Sequence, residues 1–229
     1  MTTERVQIQA TRLADQVYEL LRARVLTGAL VPGARLTVPA LSAELGLSRS
    51  PVREAVQRLV QEGLCVERPH AGAVVATVDL HALVEAYEVR AVLERLSVSR
   101  ATARATPTEL AELRALDRAH REAVEAGVPQ AVAQADTALH RRIMALAGNG
   151  QLELALGPIL DRMSLAIMAG DVHQWPTLAI QEHDRVLEAM EAGDDQRAGE
   201  LMAEHVLLVR ARLRSKADDL MNEAVDDEE

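Results

Sequence analysis

The sequence predicts a mostly α-helical protein in two parts: a small helical unit that ends in a β-hairpin, then an all-α bundle of about six helices. Three observations predict it. Apolar residues recur at three- and four-residue spacing through most of the chain. Gly- and Pro-rich breaks cut that pattern into pieces of helix length. Only "LCVE" and "AVVATV" read as short β-prone runs, joined by "RPHAG". The 229 residues suffice for two units with separate cores. Hydrophobic residues at 48% and charged residues at 26% suit a folded chain and exclude a disordered one. Phe is absent, so the core must come from Leu, Val, Ala, Ile and Met. No apolar run approaches the roughly 20 residues of a membrane helix. The start "MTTERVQIQATRLADQ" lacks the basic and apolar regions of a signal peptide. Cys65 is the sole cysteine, which excludes an intrachain disulfide. The expected location is the cytoplasm.

The first helix is expected over residues 12–27, with Leu13, Val17, Leu20, Leu21 and Val25 on one face. Gly28, Pro32 and Gly33 break it. Thr37 can cap a short second helix, in whose first turn Pro39 is tolerated. Gly46 ends that helix and Ser48 caps the third, where Pro51 occupies a turn whose N–H groups lack helical partners anyway. The third helix is expected to bury Val52, Val56, Leu59 and Val60 and to stop at Gly63. A two-stranded hairpin follows, and the boundary is expected between residues 77 and 78.

Two short helices, a tight turn at "ELGLS" and a terminal hairpin make a winged helix-turn-helix, whose last helix enters the DNA major groove by its N-terminal end. Arg49 and Arg53, one turn apart on one face of that helix, then face the groove. Charge agrees. Residues 1–76 hold nine Arg against seven acids, whereas the remainder carries −12 of a total −10. A solvated arginine pair on a surface helix is the alternative that the two arginines alone would favour. The run "LSAELGLSRSPVREAVQRLVQEGL", followed by "RPHAGAVV", resembles the DNA-binding domain of GntR-family transcriptional regulators. The resemblance implies that Arg49, Ser50 and Arg53 contact operator bases and phosphates, and that Gly72 is the wing-tip glycine. The expected DNA-binding set is Arg35, Ser48, Arg49, Ser50, Pro51, Arg53, Arg58, His70 and Gly72. Pro39 stands where some family members place a DNA-contacting arginine, so that contact is missing.

Beyond Asp79 only helical patterns occur, broken at "ATP", "AGVP", "AGN", "GDVHQWP" and "AGDD". They predict helices near 79–103, 107–126, 129–147, 150–169, 177–191 and 194–216. Four metal-capable side chains fall on otherwise apolar faces. Asp136 and His140 share the face of Val132, Ile143 and Ala147. His183 lies with Ile180, Leu187 and Met190, and His205 with Leu201 and Leu208. A carboxylate on a core-facing stripe is costly without compensation. One divalent cation could satisfy all four groups. A hydrogen-bonded core histidine is the competing reading for each. His120, beside Leu113, Leu116 and Val124, has no evident partner and exemplifies it. His81, His173 and Trp175 read as surface or loop residues, and Asn149 as a helix cap.

The series "VRAVLE", "DTALHRRIMALAGNGQL", "QEHDRVLEAM" and a late His resembles the all-helical FCD effector domain of the FadR subfamily. In its metal-binding members an Asp-x-x-x-His pair and two later histidines hold a divalent metal, often zinc or nickel. Asp136, His140, His183 and His205 match all four positions. FadR itself lacks this set, so the resemblance is to the metal-dependent, VanR-like branch. Arg90 and Glu94 are the conspicuous charges of the first bundle helix. They can simply pair at i,i+4, or Arg90 can offer its guanidinium to a carboxylate. The resemblance implies the second role, toward an acidic effector beside the metal.

The expectation is a homodimeric regulator that binds palindromic operator DNA and responds to a small organic acid. A metal-dependent hydrolase is the rival class, because three His and one Asp with open positions could activate water. Against it, no HExxH pattern places a general base beside the ligands, and Glu182 is displaced around its helix from His183. A regulator with metal-free core histidines is the third reading.

Overall fold

The computed structural model describes residues 2–69, 71–77, 79–168 and 175–226; side chains are described for 13–167 and 177–215 within these, and for Asp218. The chain divides into two compact units, Met1–Thr77 and Val78–Glu229. Among the described residues no helix is long and apolar enough to cross a membrane.

The first unit contains α1 (Thr2–Leu26), β1 (Arg35–Leu36), α2 (Val38–Leu45), α3 (Arg49–Gln61), β2 (Cys65–Arg68) and β3 (Gly72–Val75). Helix α1 packs on α3 through Ala14, Val17, Tyr18, Leu21 and Val25. The expected stripe is corrected here, since Leu20 is 40% exposed and Leu13 half-buried. The seam between two short helices is narrower than the full apolar arc of α1. Gly46 ends α2 in the left-handed conformation, φ 65°, where a Cβ is penalised, and its amide donates to the Ser42 carbonyl. Helix α3 buries Pro51, Val52, Ala55, Val56 and Leu59, while Val60 is only half-buried. The wing is a three-stranded antiparallel sheet of order β1-β3-β2, not the expected two-stranded hairpin. Arg35 and Leu36 pair with Val74 and Ala73. A two-residue strand is too short to show the alternation by which strands are read in a sequence.

The second unit is an all-α bundle: α4 (Leu80–Thr102), α5 (Pro107–Ala126), α6 (Pro129–Leu146), α7 (Gly150–Met168), α8 (Trp175–Glu191) and α9 (Asp195–Asp226). Asp79 caps α4 by accepting from the His81 and Ala82 amides. Thr106 and Glu109 form a reciprocal capping box on α5. Asn149 Oδ1 accepts from the Gln151 amide as α7 begins. His81 is exposed in the first turn of α4, His173 lies outside the described residues, and Trp175 is the first residue of α8. Helix α4 packs against α6, α7 and α9, and α5 against α6 and α8, around one core that includes Tyr87, Leu113, Leu139, Ile143, Leu160, Leu187 and Met202. The α4–α9 crossing is close: a Cβ on Gly199 would stand 2.3 Å from Ser99 Oγ and 3.0 Å from the Arg95 carbonyl oxygen. This packing brings α4, α5, α6, α8 and α9 around a single point of the core.

Candidate functional site

The opening turn of α3 presents Ser48, Arg49, Ser50 and Arg53 to solvent. Ser48 sits at the N-cap position but its hydroxyl makes no capping bond, so it remains available to a ligand. Arg35 and Gly72 are exposed on the sheet, with Gly72 at φ 74° at the start of β3. Among the described residues, no ion pair engages Arg35 on β1 or Arg49 and Arg53 in the opening turn of α3. Two residues of the expected DNA-contacting set also have structural roles. Pro51 is buried, because it sits on the inward side of the α3 opening turn. Arg58 donates to Asp15 Oδ1 at 2.7 Å and lies 3.8 Å over the Tyr18 ring, which ties α3 to α1. His70 lies outside the described residues.

In the second unit, Asp136, His140, His183 and His205 are each at most 6% exposed. His140, His183 and His205 offer nitrogen atoms within 4.8 Å of one another. His183 Nε2 and His205 Nε2 are 3.3 Å apart. Asp136 Oδ1 lies 3.9 Å from His183 Nε2 and 4.0 Å from His140 Nε2. No protein hydrogen bond reaches the Asp136 carboxylate among the described residues. Two ligands each about 2.1 Å from one ion stand roughly 3.0–3.4 Å apart in octahedral or tetrahedral geometry. The observed spacings are therefore those of a ligand shell, slightly expanded. Two imidazole nitrogens facing each other also require a proton or a cation between them. The residues fit a divalent ion.

The fold adds residues that the sequence reading did not select. His120, taken there as a core histidine, is 1% exposed with Nε2 4.0 Å from Asp136 Oδ1. Asp117, His120 and His183 form a second convergent trio. Glu94 accepts from His140 Nδ1 at 2.5 Å, and Glu182 from His205 Nδ1 at 2.7 Å. The i,i+4 Arg90–Glu94 pair forms in full burial, at 2.5 Å. Arg90 Nη2 also lies 3.2 Å from His140 Nε2, and the guanidinium touches Met163 Sδ. The one sequence signal for these groups was charge on an otherwise apolar face.

Electrostatics follow burial. His183 titrates well below the usual imidazole range, first through burial and then through the neighbouring histidines and Arg90. His205 is lowered by burial despite its bond to Glu182. Both imidazoles are thus held neutral, as metal ligation requires. Burial opposes ionisation of Glu94, but Arg90 and His140 outweigh it and hold that carboxyl at about 2. Beside the cluster lies a cavity of about 40 Å³, lined by Tyr87, Arg90, His120, Asp136, Met163 and His205 among others.

Comparison with known proteins agrees with this architecture. Residues 13–75 match the model of bacterial regulatory proteins of the gntR family, and residues 85–208 match the FCD domain. A Paenarthrobacter nicotinovorans protein described as a "probable D-xylose utilization operon transcriptional repressor" is 30% identical over 87% of this chain and 88% of that one. The regulator McbR of Escherichia coli K12 is 31% identical over 84% of this chain and 88% of its own. Its solved structure superposes with a TM-score of 0.75 at 27% identity, over 90% of this chain and 98% of that one. These relatives and both families are regulators, not enzymes. The chain belongs to the bacterial gntR family: it is a DNA-binding transcriptional regulator whose second unit is an FCD effector domain.

Proposed function

We propose that this regulator binds a palindromic operator as a homodimer and senses a small organic acid at a metal centre. Ser48, Arg49, Ser50 and Arg53 read the major groove, while Arg35 and the Gly72 wing contact backbone or minor groove. Asp136, His140, His183 and His205 hold one divalent ion per chain, zinc or nickel, as in the metal-dependent branch of the FadR subfamily. When bound, such an ion supplies net positive charge and open positions that a carboxylate can enter. Arg90, with its planar donor fork, meets the other end of the acid. The cavity suits a ligand of few atoms, being roughly three times the minimum for one water. The effect on operator affinity can be no larger than the acid's own preference between the two arrangements of the regulator.

One observation carries the metal reading: among the described residues, the buried Asp136 carboxylate has no protein hydrogen bond and faces imidazole nitrogens at 3.9–4.0 Å. The homodimer is supported by an exposed apolar stripe on two helices that pack together. Val89, Val92 and Leu96 of α4 are 53%, 69% and 46% exposed, and Leu207 and Leu208 of α9 are 45% and 39% exposed. Exposed apolar residues on two packed helices make this face the candidate association surface.

The test begins with mass spectrometry of metal and small acids that co-purify with the full chain. Gel shifts with genomic fragments follow, before and after chelation. One metal per chain and acid-dependent operator binding are expected. A chain that stays metal-free when offered Zn²⁺ or Ni²⁺ overturns the metal centre.

A further inference from the structure

Each histidine of the convergent trio is backed, at its outer nitrogen, by a carboxylate from another helix, and each carboxylate by an arginine. Arg90 donates to Glu94 Oε1 at 2.5 Å, and Glu94 Oε2 takes the His140 Nδ1 proton at 2.5 Å. Arg212 donates to Glu182 Oε1 at 2.5 Å, and Glu182 Oε2 takes the His205 Nδ1 proton at 2.7 Å. Arg121 donates to Asp117 Oδ2 at 3.4 Å, and Asp117 Oδ1 stands 4.0 Å from His183 Nδ1. This third unit repeats the pattern with its last link stretched. Asp117 Oδ1 and His183 Nδ1 are both buried and without a hydrogen-bond partner. A buried polar atom left unpaired is costly, and across the 4.0 Å gap each of these atoms is the other's available partner.

We infer that Glu94, Asp117 and Glu182 are positioning residues for the metal centre, and that Asp117 serves His183 as Glu94 serves His140 and Glu182 serves His205. A carboxylate at Nδ1 fixes the proton there and leaves the Nε2 lone pair pointing inward. It also makes the imidazole a stronger donor. Arg90 and Arg212 orient Glu94 and Glu182 through 2.5 Å bonds, whereas Arg121 reaches Asp117 at 3.4 Å and holds Asp184 more closely, at 2.8 Å. Neutral imidazole has two tautomers, and without such a partner His183 would present a lone pair or a proton to the cluster indifferently. The three units come from different helix pairs, α4 with α6, α5 with α8, and α8 with α9, so they also lock the helices that carry the ligands. Asp117 is 2% exposed and is not among the residues lining the cavity beside the cluster, so its role acts through His183.

This inference rests on the metal-centre reading, and the experiment separates the two. Zn²⁺ affinity of the full chain is measured by competition with a chromophoric chelator, and Co²⁺ is substituted to record its visible ligand-field bands. Variants are Asp117→Ala, Asp117→Asn and Glu182→Gln, with Asp161→Asn as control, a buried carboxylate bonded to Arg141 instead. Asp117→Ala and Glu182→Gln should weaken Zn²⁺ by about 10–100-fold, the range for such outer partners. Asp117→Asn keeps an acceptor but loses charge, so its loss should be smaller, and it serves if the alanine variant folds poorly. Asp161→Asn should bind as wild type. The Co²⁺ bands should keep their wild-type positions in all of these, whereas His183→Ala should shift them. Unchanged Zn²⁺ affinity in both Asp117 variants overturns the inference while leaving the metal centre in place. Shifted Co²⁺ bands in Asp117→Asn would make Asp117 a ligand and overturn it equally. A wild type that binds no metal removes the centre itself, and the inference with it.

Discussion

Asp136→Asn should change the stability of this regulator in opposite directions depending on metal. The side chain of Asp136 is 8% exposed, and the imidazole nitrogens that face it, at 3.9–4.0 Å, are beyond hydrogen-bond range. Leaving a buried polar group unpaired costs about 1–3 kcal/mol, and more when it is charged. The amide is neutral and nearly the same shape, so it removes the buried charge without disturbing the packing. The chelated variant should therefore gain about 1 kcal/mol. For a unit the size of Val78–Glu229, that raises the melting temperature by about 2–4 °C. With Zn²⁺ the order reverses. A ligand at a thousand times its dissociation constant adds about 4.1 kcal/mol to the native state. That corresponds to about 8–16 °C at the same conversion, and the variant forgoes most of it. Calorimetry of the full chain, with excess chelator and then with Zn²⁺, should show the two melting curves change places. If Asp136→Asn melts below wild type in chelator, other protein contacts already compensate the carboxylate and the argument for a metal fails. If the variant keeps the full Zn²⁺ shift, Asp136 is not a ligand.

Four further outcomes follow from the structure. Arg53→Ala should lose about 1–3 kcal/mol of operator affinity, as a base-reading residue does, with Arg49→Ala losing less. Arg58→Ala should leave the operator contact intact but lower the melting temperature, because Arg58 spans Asp15 and the Tyr18 ring; fluorescence anisotropy beside thermal melts separates the effects, and full affinity in the Arg49/Arg53 double variant refutes the assigned face. In a panel of hydroxy, keto and dicarboxylic acids, at least one should stabilise wild type but neither Arg90→Ala nor the chelated chain. A ligand that is neutral, or that binds Arg90→Ala equally well, sinks that mechanism. Val92→Asp places a charge in the α4–α9 stripe and should shift sedimentation from dimer toward monomer, and a dimer of unchanged strength would locate the interface elsewhere.

Much of this molecule was legible in the residues themselves. The breaks at "ATP", "AGVP", "AGN" and "AGDD" bounded helices because Gly and Pro act on the backbone locally, whatever surrounds them. The α2–α3 turn was readable for the same reason, from Gly46 and Ser48. Asp136 and His140 were legible as a pair, since four residues along a helix is one turn on one face. What the sequence could not carry was which inward faces meet. The 3.6-residue period reports that His120 points inward, not that α5 lies against α6 and α8 and so brings His120 and Asp117 to the cluster. Glu182 shows the limit best. It is next to His183 in the chain, yet a helix turns them about 100° apart, so it serves His205 on α9 instead. Strand β1 was lost because two residues hold no period at all. Local chemistry follows from local sequence, whereas a centre assembled from five helices depends on their crossings, which packing of the whole core decides.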